Sequence, residues 1–383
     1  MSDMNLRDLR PGMILEEDAY TPNGAQLVMT KGTILDERRI ARLAFYGVKV
    51  AQVTVPAGMT VKTKPAKEAP QVQAQQEEPR RPAVTRPGEK PPSYSDRLKS
   101  SPEFKKFKMD FEDTYITYQR NINEVIYGDK SIDMVEMTEP VYDLIHDCYG
   151  PSNVFSMLRA LRSYNDAIYV HSINVALIAH SLGEWMHLPA DDLQLLTEAG
   201  LLLDIGKIMV PQEILNKQGP LTDVEETKLR LHPQLGYHAL QNQKLDSHIK
   251  NTVLMHHERC DGSGYPRHLT INQIDPVARV VAIADVYDAM TAERLYREPF
   301  SPFDVLEQIE ADGYGKFDPW PLMTFMECVA NTYIGNRVRL SDGTEGEVIY
   351  INPNHFARPT IQTGPKSFID LSENPSLRVQ AII

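Results

Sequence analysis

The feature that most limits how this chain can fold is a break in its apolar pattern. Between residues 56 and 95 there are eight prolines, many Gln, Glu, Lys and Arg, and almost no large apolar side chains. Such a stretch cannot bury enough surface to offset the entropy of ordering, so it reads as a disordered, partly extended linker. The chain must therefore fold as separate units on either side of it. The length of 383 residues points the same way, since it exceeds what one compact core accommodates. With 42% hydrophobic residues, at least one unit can have a sizeable core.

Residues 1–55 read as a small β-rich module. Gly12-Met13-Ile14-Leu15, Gln26-Leu27-Val28-Met29 and Val48-Lys49-Val50 have strand character, with a turn at Pro22-Asn23-Gly24. A short helix is predicted from Asp36, with Ile40, Leu43 and Ala44 on one face and Gly47 ending it. Beyond the linker, residues 96–334 read as mainly helical. Phe104, Phe107, Phe111, Tyr115, Tyr118, Ile122 and Val125 recur at steps of three and four. That face could pack on the helices that follow, or form a homodimer seam through residues 104–126. A second helix is predicted over residues 170–186. Residues 335–383 return to β character, with strands around an Asp342-Gly343 turn, as a small barrel or sheet cap. The expected fold class is thus mainly α, with a β-rich module at the start and a short β extension at the end.

The formal net charge of −12 argues against binding nucleic acid through the phosphate backbone, which depends on clustered Lys and Arg. It leaves room for a small phosphate ligand held by local cations. The three cysteines, Cys148, Cys260 and Cys328, are too sparse for a disulfide framework and suit a reducing cytoplasm. No apolar run reaches the ~18 residues of a membrane span. The first residues lack the pattern of a signal peptide.

Six residues carry the chemistry: His171, Asp204, His232, the adjacent His256 and His257, and Asp285. Divalent metals that activate water are held by neutral imidazoles and carboxylates converging from several elements. Each residue alone also has an ordinary explanation: a satisfied core histidine, a helix cap, a buried acceptor. Their local contexts set them apart. These are Tyr169-Val170-His171-Ser172, Leu203-Asp204-Ile205-Gly206-Lys207 and His232-Pro233 with Gly236 three residues on. His256-His257-Glu258 follows, leading into Asp261-Gly262-Ser263-Gly264-Tyr265-Pro266, and last comes Asp285-Val286-Tyr287-Asp288-Ala289-Met290-Thr291.

With these motifs, from about Tyr164 to Phe325, the chain resembles the HD-GYP family of cyclic di-GMP phosphodiesterases, a branch of the HD phosphohydrolases. The resemblance implies an HD-type helical bundle holding two or three divalent metals, often iron or manganese. Carried over residue by residue, it gives His171, Asp204 and Asp285 to one metal. Asp204, His232, His256 and His257 go to the other, with Asp204 shared. It places Lys207 near the scissile phosphate, Arg294 and Arg297 among phosphate-binding cations, and Gly264, Tyr265 and Pro266 on the substrate-side wall.

One position departs from the family pattern. Leu203 stands where the histidine of the His-Asp pair is expected, and leucine has no lone pair to give a metal. His180, His187 and His238 fall on the wrong faces or beyond a helix end and do not substitute. Cys260 reads as a passive loop residue. Ala167 occupies the position linked to a third metal, where it offers no ligand. The ligand count therefore leads to the expectation of a degenerate or very slow phosphodiesterase that still recognises cyclic di-GMP in bacterial signalling. The alternatives are a fully active enzyme, or a phosphohydrolase of another nucleotide. The first module and the linker suit docking to a protein partner.

Overall fold

The computed structural model describes residues 2–22, 24, 27–55, 94–128, 130–148, 150–161, 167–291 and 301–383. By its internal contacts the chain divides into two compact units, Met1–Ser93 and Tyr94–Ile383. Most of the Pro-rich stretch, residues 56–93, lies outside the described residues, as do Asn23 and Gln26.

In the first unit β1 (Ser2–Asn5), β5 (Val50–Thr54) and β2 (Ile14–Leu15) form an antiparallel sheet in the order β1-β5-β2. Strands β3 (Ala19–Tyr20) and β4 (Leu27–Met29) pair as a hairpin. Helix α1 (Glu37–Phe45) starts at Asp36, whose carboxylate accepts the Arg39 N–H at 2.7 Å and so satisfies one otherwise orphaned donor. The sequence reading put the last strand at Val48-Lys49-Val50, but it begins only at Val50. Val48 N–H still bonds the Leu43 carbonyl at 2.9 Å, and Gly47, at φ +77°, makes the left-handed exit from the helix. Met13, Leu15, Leu35, Leu43 and Val53 are the buried centre of this unit.

The second unit begins with α2 (Tyr94–Ser100), so Tyr94 and Ser95, assigned to the linker from composition, are helical. The helices α3 (Pro102–Tyr127), α4 (Met134–Asp147), α5 (Pro151–Leu161), α6 (Ala167–Trp185) and α7 (Ala190–Leu202) follow. Phe104, Phe107, Phe111, Tyr118 and Ile122 of α3 are buried in one core with Val141 and Leu144 of α4, Leu177 of α6 and Leu201 of α7. At about 1.5–3 kcal/mol for each fully buried large side chain, this face is a main source of bundle stability. It is occupied within the chain and so does not present the dimer seam its spacing also allowed.

A 3₁₀ turn (Ile205–Met209) and the short helices α8 (Gln212–Leu215) and α9 (Asp223–Leu229) lead to α10 (His232–Leu240) and α11 (Ser247–Met255). Helix α12 (Pro276–Thr291) has an unbroken buried run, Val280 to Asp285, as expected of a helix covered on all sides. Helices α13 (Pro302–Gly313) and α14 (Pro319–Asn331) carry the closing sheet.

That sheet comprises β6 (Arg337–Leu340), β7 (Glu345–Asn352), β8 (His355–Gly364), β9 (Ser367–Asp370) and β10 (Val379–Ile382), antiparallel in the order β10-β6-β7-β8-β9. It is fastened to α13. The Glu310 carboxylate accepts the Phe356 N–H at 2.8 Å, Arg358 pairs with Glu307, and the Ser301 hydroxyl donates to the Val379 carbonyl at 3.2 Å.

Candidate metal centre

Two close backbone approaches bring the predicted residues together. At Gly200 an added Cβ would lie 2.6 Å from the Ala176 Cα, so only a glycine lets α7 lie this close to α6. This sets Asp204, just past the end of α7, beside His171 near the start of α6. At Gly206 an added Cβ would lie 1.9 Å from the His232 carbonyl oxygen and 2.6 Å from the Gly236 nitrogen. The 3₁₀ turn after Asp204 is therefore pressed onto the first turn of α10, which places His232 against Asp204. His256 caps the end of α11 and His257 follows it, so both enter from a third direction.

Ligand atoms of Asp204, His232, His256 and His257 all lie within 4.8 Å of one another. The hydrogen bonds on the far side of the imidazoles show what this cluster needs. Nδ1–H of His232 donates to the Leu229 carbonyl at 2.8 Å, and Nδ1–H of His256 donates to the Val253 carbonyl at 3.0 Å. In those tautomers both Nε2 atoms carry lone pairs, yet they face each other at 3.2 Å. Asp204 Oδ1 lies 3.3 Å from one and 3.7 Å from the other, and is buried without a hydrogen-bond partner. Three acceptors converging in a buried space suit a cation, and two imidazoles with a carboxylate suit a divalent metal. The donor set thus fits the ion that the family pattern implies.

The other oxygen of Asp204 faces a different set. Oδ2 accepts from Lys207 Nζ at 2.5 Å and lies 3.5 Å from His171 Nε2. His171 Nε2 is also 3.0 Å from Asp285 Oδ1, while its Nδ1 is 2.7 Å from Asp288 Oδ2. Asp288 in turn accepts from the Asn174 amide at 2.9 Å. Asp204 therefore joins the two halves of the site, one carboxylate oxygen to each.

The electrostatics follow from burial and neighbours. Burial works against ionising Asp204, but Lys207 and the surrounding imidazoles hold its carboxyl well below the usual range. Burial would likewise lower His171; the carboxylates of Asp285 and Asp288 outweigh it and raise the imidazole to about 10. His256 goes the other way, to about 4, because burial and the neighbouring His232 disfavour its charged form. His257 is also lowered, by burial and by His256. Both stay neutral near pH 7, the form that binds metal.

The loop after the histidine pair is pinned by a buried carboxylate. Glu258 accepts the N–H groups of Arg267 at 2.6 Å and Leu269 at 2.9 Å. Gly264 packs so tightly on this segment that a Cβ would lie 2.4 Å from the Glu258 Cα. The result is to lay Tyr265 on His257, with ring centroids 4.7 Å apart and 26° between planes. Pro266 follows through a cis peptide bond.

Of the residues singled out in the sequence, His171, Asp204, Lys207, His232, His256, His257, Asp285 and Tyr265 lie at this one place. Arg294 and Arg297 fall outside the described residues. His180 faces away and bonds the Thr197 hydroxyl at 2.9 Å, and His238 is exposed. Leu203 is fully buried at the end of α7. Sequence reasoning gave no role to Asp288, Asn174 or Glu258. The first two follow the logic of a helix face: Asn174 is three residues beyond His171, and Asp288 three beyond Asp285. Glu258 is visible only as a carboxylate beside a histidine pair, and its bonds depend on a loop path that spacing does not reveal.

The HD domain family model matches residues 155–320. The Cyclic di-GMP phosphodiesterase PA4108 of Pseudomonas aeruginosa is 35% identical over 213 residues, covering 55% of this chain and 51% of that protein. The 3'3'-cGAMP-specific phosphodiesterase 2 of Vibrio cholerae is 32% identical over 168 residues, 43% of this chain and 32% of that one. The Cyclic di-GMP phosphodiesterase response regulator RpfG of Xanthomonas campestris pv. campestris is 37% identical over 145 residues, covering 37% of this chain and 38% of that protein. The chain thus spans about half the length of these relatives or less. A solved structure, Bd1817, a HDG"Y"P protein from Bdellovibrio bacteriovorus, aligns with a TM-score of 0.43 at 16% identity, covering 85% of this chain and 97% of that one. Residues 155–320 of this chain thus match the HD domain family, over the same helices that carry the motifs above.

Proposed function

We propose that this chain recognises cyclic di-GMP through its HD-GYP domain and is a degenerate or very slow metal-dependent phosphodiesterase. The observation that carries the reading is the pair of bare Nε2 atoms beside the orphaned Asp204 oxygen. It supports a cation site in a domain whose relatives are named for cyclic dinucleotides. Asp204, His232, His256 and His257 would hold the ion, with iron or manganese as the proposed identity. A divalent ion bound there supplies Lewis acidity, lowering the pKa of water and polarising a phosphoryl oxygen. Around it the chain's own groups bind and orient. Lys207 is a cation at the edge of the cluster, partly exposed, where it can offset charge on a leaving oxygen. His257 and Tyr265 form a flat wall. Burial of Asp204 and His256 excludes water from the inner side.

The second half of the site supports slowness. Leu203 offers no donor, which leaves His171, Asp204 and Asp285. Those three are already paired with one another and with Lys207 and Asp288. His171, Asp204 and Asp285 could hold a second ion only with His171 neutral and with Asp204 Oδ2 released by Lys207. The reading of a fully active enzyme has one observation in its favour, the complete four-residue set around Asp204 Oδ1.

The test uses the full chain, metal-free and loaded with Mn²⁺ or Fe²⁺. Cyclic di-GMP binding is followed by calorimetry and linear product by chromatography. Metal-dependent binding with little or no product, and turnover raised at least tenfold by Leu203→His, is the expected result. Fast turnover by the wild type, unchanged in Leu203→His, would establish the active enzyme instead. Absence of binding in the loaded protein would refute cyclic di-GMP as the ligand.

A further inference from the structure

The Tyr265 ring lies beneath a guanidinium. The Arg230 Cζ lies 5.0 Å from the Tyr265 ring centroid, while the same ring stacks on His257 at 4.7 Å. The Tyr265 ring thus contacts both His257 and the Arg230 guanidinium. The contacts run from His257 to Tyr265 and from Tyr265 to Arg230. Glu226, one turn back, accepts from the Arg230 Nε at 3.0 Å and from its Nη2 at 2.6 Å. The Arg230 side chain is 55% exposed. Among the described residues, Lys207 and Arg259 near the cluster have partners of their own. Lys207 is bonded to Asp204, and Arg259 donates to the carbonyls of His256 and Glu258 and lies over Phe317. In a chain of net charge −12, an arginine set beside this site needs a reason.

We propose that Arg230 is a specificity-determining residue that binds the second phosphodiester of a cyclic dinucleotide while the first lies at the metal cluster. The inference rests on the cyclic di-GMP reading. The two phosphates of such a ligand sit on opposite sides of one macrocycle, so a site that reads both needs an anion contact set away from the metal ligands. Arg230 lies over the ring that stacks on the metal-ligand candidate His257. Its Nη1 is not used by Glu226 and can donate to a phosphate oxygen. The arrangement would select a ligand with two phosphodiesters over one with a single phosphate.

The experiment compares wild type, Arg230→Ala and Arg230→Lys in the full-length, Mn²⁺-loaded protein, with metal content measured on each. The probes are cyclic di-GMP, 3′3′-cyclic GMP–AMP and bis(p-nitrophenyl) phosphate, which has one phosphodiester. Arg230→Ala should weaken the cyclic dinucleotide that wild type binds by about ten- to a hundredfold, as expected for a hydrogen bond to a charged group. It should leave metal content and the single-phosphate probe unchanged, and Arg230→Lys should recover part of the loss. Equal weakening of all probes, or loss of metal, would overturn the proposal and make Arg230 a support for Tyr265 and His257. Unchanged affinity for every probe would overturn it too. Wild type that binds 3′3′-cyclic GMP–AMP but not cyclic di-GMP refutes the substrate reading alone. Failure to bind either cyclic dinucleotide overturns both.

Discussion

At the scale of single residues, the site depends on where protons are absent. His232 and His256 spend their Nδ1 protons on backbone carbonyls, so their other nitrogens point lone pairs at one space with Asp204. The position of that space depends on Gly206, because no side chain fits between the 3₁₀ turn and the His232 carbonyl. Gly206→Ala should therefore separate Asp204 from His232. The expected outcome is at least a tenfold loss of metal affinity by calorimetry, with a fall in stability of about 1–3 kcal/mol from overpacking. A variant with wild-type metal affinity would show that this contact does not set the site. Residue types and order made Asp204 and the four histidines legible in the sequence, because metal chemistry restricts which side chains can serve. Asp288, Asn174 and Arg230 were not legible. An acceptor behind a histidine, or a cation over a ring, can be contributed by many positions, and only the folded path selects one.

At the scale of elements, buried histidines couple α6 and α7 to pH. His180 of α6 is buried against Thr197 of α7, and desolvation lowers its imidazole to about 4. Unfolded, it titrates at about 6.5. Between those values the unfolded chain binds a proton that the native chain refuses, so stability falls as pH drops from about 6.5 to 4 and this contribution is flat outside that window. Replacing it by an apolar group, His180→Leu, should remove about 3 kcal/mol of that acid sensitivity, seen as a shallower fall of the denaturant midpoint between pH 6.5 and 4. An unchanged slope would mean that other groups set the acid limit. The helical pattern itself was readable from period and caps. The apolar face of α3 could be read two ways, because heptad spacing serves intrachain and interchain packing alike; its burial against α4, α6 and α7 decides for the former. The short strands of the first unit were located less well, since a two- or three-residue strand has no period to read.

At the scale of the molecule, the chain divides at Ser93, while the closing sheet groups with the helices. The sheet is joined to α13 by Glu307, Glu310 and Ser301, so ending the chain at residue 335 would uncover α13 and α14. A fragment of residues 94–383 should keep the metal affinity and a cooperative melt, whereas one of residues 94–334 should lose the cooperative melt in calorimetry. Equal behaviour of the two fragments would show that the sheet does not support the domain. Among the described residues no helix is long and apolar enough to cross a membrane.

All of these scales meet in the metal count. Metal analysis of the full-length protein, reconstituted with excess Mn²⁺ or Fe²⁺ and freed of loosely held ions, should give about one ion per chain, and about two in Leu203→His. Two tightly held ions in the wild type, or none, would contradict a site built around one oxygen of Asp204 with the other given to Lys207.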